Sequence, residues 1–162
     1  MGWMDNTGLY QEWGVEQATN SKGGEYRNNG NLREIELKIN LATLTESETI
    51  LDNNITMPSG VRIAGIKVQT VTAAATGAAI DLGLIRTDRT TEVDYDGLLA
   101  AFPTATMNAA NETSNFTVPN TAEAGALVGT TTSNPAHFTC SRTTATAFTA
   151  GQIIVTVYYF RP

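Results

Sequence analysis

Alternation of apolar and polar residues over residues 33–44 constrains the fold of this chain more than any other feature. In this stretch, REIELKINLATL, the apolar side chains fall on every second position: Ile35, Leu37, Ile39 and Leu41. Successive side chains of an extended chain point to opposite faces, so one face of the segment is apolar and the other is polar and exposed to solvent. The pattern predicts a half-buried β-strand.

The last apolar segment, QIIVTVYYF at residues 152–160, carries apolar side chains on both faces. This composition is typical of a strand that lies in the centre of its sheet and is covered on both sides. In an antiparallel sandwich the facing sheet covers only one side, so a partner subunit or the N-terminal arm must cover the other. We therefore predict that Tyr158 and Phe160, on the second face, are protein-interface residues.

Short strand-like segments separated by turn residues fill most of the chain between these two. They are a strand pair or extended crossing within residues 45–60 and strands at residues 78–87, 115–119, 126–131 and 136–143. In VRIAGIKV the alternation shifts by one residue at Ala64-Gly65, which predicts a β-bulge. The spacing predicts an all-β fold, a jelly-roll-like antiparallel β-sandwich that comprises residues 33–162.

At most one short helix is compatible with the sequence. The segment DRTTEVDYDGLLAAF is its only candidate, with Asp96 as the N-cap and Leu98, Leu99 and Phe102 on one apolar side. Pro103 would end the helix after one or two turns.

Residues 1–32 show no periodicity and are expected to form an extended N-terminal arm. They combine Gly and Asn clusters with four aromatic residues that we predict to be protein-interface anchors: Trp3, Tyr10, Trp13 and Tyr26. Flexible tails are usually poor in aromatic residues, so these side chains are expected to be buried against something. Two interpretations remain open, namely contact with a neighbouring chain or capsid-like surface, and contact with the arm's own domain.

The charge composition favours contact with other proteins. Charged residues make up 16% of the chain, against about 25% in a typical soluble domain. The net charge of −6 argues against nucleic-acid binding, which relies on basic side chains to replace counterions. A surface of Thr, Ala, Asn, Ser and Gly is cheap to desolvate. Together with the second apolar face of the last strand, it predicts a homo-oligomer, which we expect to be a homotrimer.

No membrane partner and no export signal are expected. No apolar run approaches the roughly 20 residues of a membrane-spanning helix. The segment MGWMDNTGLYQEWG has neither a basic start nor an apolar core, so we expect synthesis in a cytoplasm.

The sequence offers little reactive chemistry, and we predict a protein that is not an enzyme and uses no cofactor or metal. His137 is the only histidine and Cys140 the only cysteine, which is too few for a zinc site. Both residues lie in a strand-like segment, where a structural histidine and a buried, inert thiol are favoured. The chain has no phosphate-binding loop and no serine in a nucleophile elbow.

One acidic segment, DRTTEVDYDG, allows three interpretations. Its four acids are Asp88, Glu92, Asp94 and Asp96. Turn formation and helix capping are favoured, because calcium requires about six to eight oxygen ligands and because Arg86 and Arg89 are close enough to pair with these acids. A calcium site and a carboxylate pair for glycoside hydrolysis are the alternatives.

Residues 23–102 resemble a known family. The segments that carry the resemblance are GGEYRNNGNLREIELKINLATLT, ITMPSGVRIAGIKVQTVTAA and GLIRTDRTTEVDYDGLLAA. They are similar to capsid cement or decoration proteins of tailed bacteriophages, small structural proteins encoded beside the capsid genes. The resemblance implies a jelly-roll-like fold, trimers bound to the major capsid protein on the outer face of the virion, and no catalysis. Alternatives are a phage neck, tail or fibre-attachment component and a jelly-roll carbohydrate-binding module for host recognition.

Overall fold

The computed structural model divides the chain into two compact units, Met1–Gly30 and Asn31–Pro162. It describes residues 2–4, 10–12, 32–77, 79–111, 113–116 and 134–160. In the first unit, strand β1 (Gly2–Met4) pairs antiparallel with strand β2 (Tyr10–Glu12).

Two antiparallel sheets make up the described part of the second unit. The first sheet has the strand order β3 (Arg33–Asn40), β11 (Phe148–Phe160), β6 (Arg62–Thr76) and β9 (Thr113–Phe116). The second has the order β4 (Thr49–Ile50), β10 (Ala136–Arg142), β7 (Ala79–Arg86) and β8 (Glu92–Pro103), with β5 (Thr56–Met57) also on β10.

The only helical segments in the described residues are two 3₁₀ turns, Leu41–Thr43 and Thr104–Thr106. The predicted fold class, an all-β antiparallel sandwich of the jelly-roll type, is therefore confirmed. The predicted strand at residues 126–131 lies outside the described residues.

The core consists of side chains from both sheets. On β3 the alternating residues Leu37 and Ile39 are buried, as predicted, and on β11 every second residue from Gly151 to Tyr159 is buried. Burial is complete for Ile153, Val155 and Val157, which are 0% exposed. These side chains form one hydrophobic cluster with side chains of the second sheet that include Ile80, Leu82, Leu84, Phe138 and Cys140.

The predicted bulge in β6 is present. Tyr158 of β11 pairs with Gly65, but the next residue, Tyr159, pairs with Ile63. Ala64 is therefore the extra residue. The shift keeps Ile63 on the buried face together with Ile66, although the two are separated by an odd number of positions.

The predicted short helix is wrong, because its residues belong to β8. Leu99 pairs with Leu82 and Phe102 pairs with Ile80 of β7. These pairs bury the apolar residues that a helix would have placed on one side. A helix of one or two turns has little stability of its own, so long-range pairing with a buried strand outcompetes it. Asp96 is consequently not a helix cap.

The pairing of β7 with β8 is irregular, and Gly83 explains how the irregularity is accommodated. Between Leu82 and Leu84 the register on β8 jumps from Leu99 to Asp94, so that several residues of β8 bulge out. The backbone of Asp94 and Tyr95 lies directly against the Cα atom of Gly83. A side chain at this position would collide with backbone atoms, which cannot swing aside.

We expect Gly83→Ala to destabilise the fold by about 3 kcal/mol, at the upper end of the usual cost of overpacking. Gly60→Ala is the matched control. Gly60 has a φ of +69° and no atom within 4 Å of the point that a Cβ would occupy, so its substitution should cost only about 1 kcal/mol of backbone strain. Urea unfolding followed by far-UV circular dichroism measures both values. Equal losses in the two variants would contradict this account of the bulge.

Candidate interaction surface

The side of the first sheet that faces away from the core is the candidate functional surface, referred to below as the outer face. Its central strand is β11, on which Ile154, Thr156, Tyr158 and Phe160 alternate with the buried residues and are themselves half-buried. We call Ile154, Tyr158 and Phe160 the apolar strip. Aromatic and aliphatic side chains that are half-buried on a sheet face are typical of surfaces that contact other proteins.

Charged side chains flank the apolar strip, and their signs differ on its two sides. On β3, Glu34 pairs with Tyr158 and Glu36 pairs with Thr156. Paired residues of neighbouring strands lie on the same face, so both carboxylates project from the outer face. We call these two residues the acidic column.

On the other side of the strip, β6 supplies basic residues. Lys67 pairs with Thr156 and Arg62 pairs with Phe160. We call these two residues the basic column. Across the outer face, the order is therefore acidic on β3, apolar on β11 and basic on β6. Lys38 is the exception, because it lies on β3 beside Ile154, with Gln69 on the other side of the same row.

The structure describes the predicted interface residues only in part. Tyr158 and Phe160 lie on the outer face, as expected. Trp3 and Tyr10 belong to the paired strands β1 and β2, and their side chains lie outside the described part of the structure. Trp13 and Tyr26 lie outside the described residues altogether. The interface roles of these four aromatic residues, like those of Tyr158 and Phe160, stay predictions.

Sequence reasoning missed the basic column. It treated the second face of the last strand as apolar, although its neighbours on both sides are charged. The sequence VRIAGIKVQ does contain the information, because Arg62 and Lys67 alternate with the apolar residues on either side of the bulge. It could be used only with the knowledge that β6, with its bulge, lies next to β11.

The cysteine and the histidine of the chain are both buried residues of β10, in the second sheet. Cys140 is 0% exposed, and burial raises the pKa of its thiol to about 12. A thiol of this kind is protonated and inert at neutral pH. His137 is also buried, on β10 between Thr56 of β5 and Ile85 of β7. Its Nδ1 atom has no hydrogen-bond partner in the described structure.

Asp88 forms a turn, as the sequence predicted. One carboxylate oxygen accepts hydrogen bonds from the backbone N–H groups of Thr90 and Thr91, both at 2.8 Å. The other accepts a hydrogen bond from the hydroxyl group of Thr91 at 2.6 Å. These bonds favour the ionised form, so they lower the pKa of Asp88 below its ordinary value.

The pKa of Asp94 is shifted in the opposite direction. Burial, a hydrogen bond with the Asp96 carboxyl group and the negative charges of Asp96 and Glu92 raise the pKa of Asp94 to about 6. Asp94 and Asp96 therefore repel each other, and the neighbouring arginines do not cancel this repulsion. Among the described residues, no group of three or more histidine, cysteine or acidic side chains is arranged to hold a metal ion.

Comparison with known proteins gives matches in structure only. No protein-family model matches the chain, and no curated protein matches it in sequence. A chain in the capsid of Ralstonia phage GP4 matches with a TM-score of 0.56 and 14% identity, over 86% of this chain and 90% of that chain. A chain of the cyanophage Pam1 capsid asymmetric unit matches with a TM-score of 0.52 and 12% identity, over 92% of this chain and 99% of that chain. The chain therefore has a fold that occurs in phage capsids.

The described part of the chain contains no candidate for a membrane-spanning helix.

We expect Asp94→Asn to raise the melting temperature by about 2–4 °C at pH 7.5 and to have no stabilising effect at pH 4. The pKa of Asp94 is raised in the folded chain, so the folded chain keeps a proton that the unfolded chain releases between about pH 4 and pH 6. Stability therefore falls as the pH rises through this window, and asparagine removes the loss. Differential scanning calorimetry at the two pH values measures the effect.

Asp88→Asn is the control with the opposite sign. Because the pKa of Asp88 is lowered in the folded chain, its contribution to stability is present above its ordinary pKa and disappears as the pH falls through the folded pKa. This variant should melt lower at pH 7.5. Lower melting of Asp94→Asn at pH 7.5 would contradict the assignment. The assignment would also be contradicted if calcium raised the melting temperature of the unmodified chain by many degrees and if Asp94→Asn abolished that rise.

Proposed function

We propose that this chain is a non-catalytic structural protein of a bacteriophage virion, which binds the outside of the icosahedral shell as a cement or decoration protein. The observation that carries the proposal is the structural match to chains of two phage capsids. The match extends over 90% and 99% of those chains, so they are of nearly the same length as this chain and are matched as whole chains.

The surface chemistry supports a clamping role. A shell that must resist internal pressure is held best by many weak contacts spread over several subunits, because multivalency makes them collectively strong. A chain with only 16% charged residues desolvates its surface at low cost. Its partners in this proposal are the major capsid protein and other copies of itself, with the virion surface as its location after synthesis in the host bacterial cytoplasm.

The burial of the cysteine and histidine side chains also supports a structural role. Burial keeps Cys140 protonated, and the side chain of His137 is buried as well.

The N-terminal arm is proposed as the principal anchor on the shell. Its four aromatic residues would bury large apolar areas in pockets of the capsid protein, and interface energy is commonly concentrated in such residues. The anchors in this proposal are Trp3, Tyr10, Trp13 and Tyr26.

We expect deletion of residues 1–22 to leave the sandwich folded and to weaken binding to decoration-free shells at least tenfold. Binding is measured by co-sedimentation with shells purified from a phage that lacks the protein. In the full chain, Trp3→Ala with Trp13→Ala should reproduce much of the loss. Asn6→Ala with Gln11→Ala, two polar residues of the same segment, should bind as the unmodified chain does. Unfolding of the truncated chain, seen by circular dichroism, would contradict the arm's assignment, and so would unchanged binding.

The purified protein is expected to be a homotrimer, with a mass of three 17.3 kDa chains. Symmetric closure would bury the apolar strip without leaving a patch that aggregates. Native mass spectrometry at micromolar concentration tests this expectation, and a stable monomer would contradict it.

A further inference from the structure

We infer that the outer face is the surface through which copies of this chain associate, with the acidic column of one copy facing the basic column of the next. The inference rests on the proposed self-association. It adds which face is used and how neighbouring copies are oriented. The partner is a second copy of the same chain, because the face carries both halves of a complementary charge pattern.

Within the described residues, the acidic and basic columns do not pair with each other. Glu36 and Lys67 occupy one row of the sheet but lie on opposite sides of Thr156. Strands are spaced about 4.8 Å apart, so the backbones of β3 and β6 are roughly 10 Å apart. In the same part of the chain, Glu36 has a loose ion pair with Lys38 at 3.9 Å, and no ion pair is found for Glu34, Arg62 or Lys67.

The left-to-right order of the charges limits the possible symmetry. Suppose that two outer faces meet about a two-fold axis parallel to β11. Each row of paired residues then faces the same row of the other copy, and β3 of one copy lies opposite β6 of the other. Acidic residues then face basic residues, and the apolar strips face each other. A two-fold axis in the plane of the sheet but perpendicular to the strands would instead place acidic on acidic and basic on basic.

The same rule accommodates a trimer. Around a three-fold axis parallel to β11, three outer faces point inward and the acidic side of each copy meets the basic side of the next. In both arrangements the rows remain aligned. Glu36 faces Lys67 of the neighbouring copy directly about the two-fold axis, whereas about the three-fold axis β9 lies between Lys67 and the neighbouring β3. The charge order therefore requires a rotation axis parallel to the strands.

The composition of the face agrees with a protein–protein contact of this kind. Tyr158 and Phe160 form a half-buried aromatic centre, and the charged residues lie around it. Interfaces typically have an apolar, aromatic-rich centre and a polar rim. Rim charges select the partner and its orientation more than they add affinity, which makes charge reversal a sensitive test of the arrangement.

Charge-reversal variants test the inference directly. Glu36→Lys and Lys67→Glu each place like charges opposite one another, and each should raise the concentration needed for association about tenfold. The double variant with both substitutions restores the pattern in mirror order and should associate as the unmodified chain does. A mixture of the two single variants restores both opposite-charge contacts in a two-fold pair and should form mixed dimers, whereas a ring of three such copies must keep one like-charge contact. Sedimentation velocity at about 50 mM salt over a micromolar concentration range measures all four samples.

Lys38→Glu is the matched control. It reverses a charge on the same strand and face, but the residue that β6 places in the row of Lys38 is the neutral Gln69. Its association should therefore change less than twofold. Circular dichroism verifies that every variant is folded.

The outcomes separate this inference from the proposed function. If the single reversals leave association unchanged, or if the double variant fails to restore it, the outer face is not the contact and the inference is wrong. A monomeric unmodified chain would contradict both the inference and the proposed trimer. Binding of the unmodified chain to shells, measured by co-sedimentation, tests the proposed function independently of all these outcomes.

Discussion

The position of β11 between β3 and β6 is the constraint on which the rest of the structure depends. Its inner residues, Ile153, Val155 and Val157, are completely buried and join the core of the sandwich. Its outer residues are fixed by the same hydrogen-bonded ladders, so they cannot turn inward without breaking the pairing on both sides. A strand that is central and apolar on both faces therefore creates a core and a candidate contact surface at once.

Pairing on either side of β11 also determines the electrostatics of that surface. β3 brings acidic residues to one side and β6 brings basic residues to the other. The bulge at Ala64 matters here, because it resets the phase of β6 so that Ile63 and Ile66 both point inward. Without this shift, either the apolar or the charged residues of β6 would lie on the wrong face.

Much of the fold could be predicted from the sequence because it depends on a period of two. Alternation located β3, and the doubly apolar composition of residues 152–160 identified a central strand. The same reasoning failed at β8. Leu98, Leu99 and Phe102 fit one turn of a helix as well as a strand, and only the long-range partners on β7 decide between the two. The sequence around Gly83 does not indicate that the backbone of β8 packs against this residue.

The candidate surface was predictable only in part, for a similar physical reason. Tyr158 and Phe160 could be assigned to an outward face from their own strand alone. The basic column required knowledge of which strands are neighbours and in which register, and no single segment contains that information. The acidic segment shows the same limit: Asp88 makes local turn contacts that its sequence predicted, whereas the raised pKa of Asp94 arises from burial that only the folded bulge creates.

The central claim is that this chain is a virion protein distributed over the outside of a capsid, and its location on the particle tests that claim most directly. A cryo-electron microscopy reconstruction of purified virions, compared with particles that lack the protein, should reveal the difference density. The account predicts sandwich-sized density repeated in symmetric clusters across the outer surface of the shell. Density confined to a single vertex would instead identify a neck or tail component, and the complete absence of a difference would contradict a place in the virion.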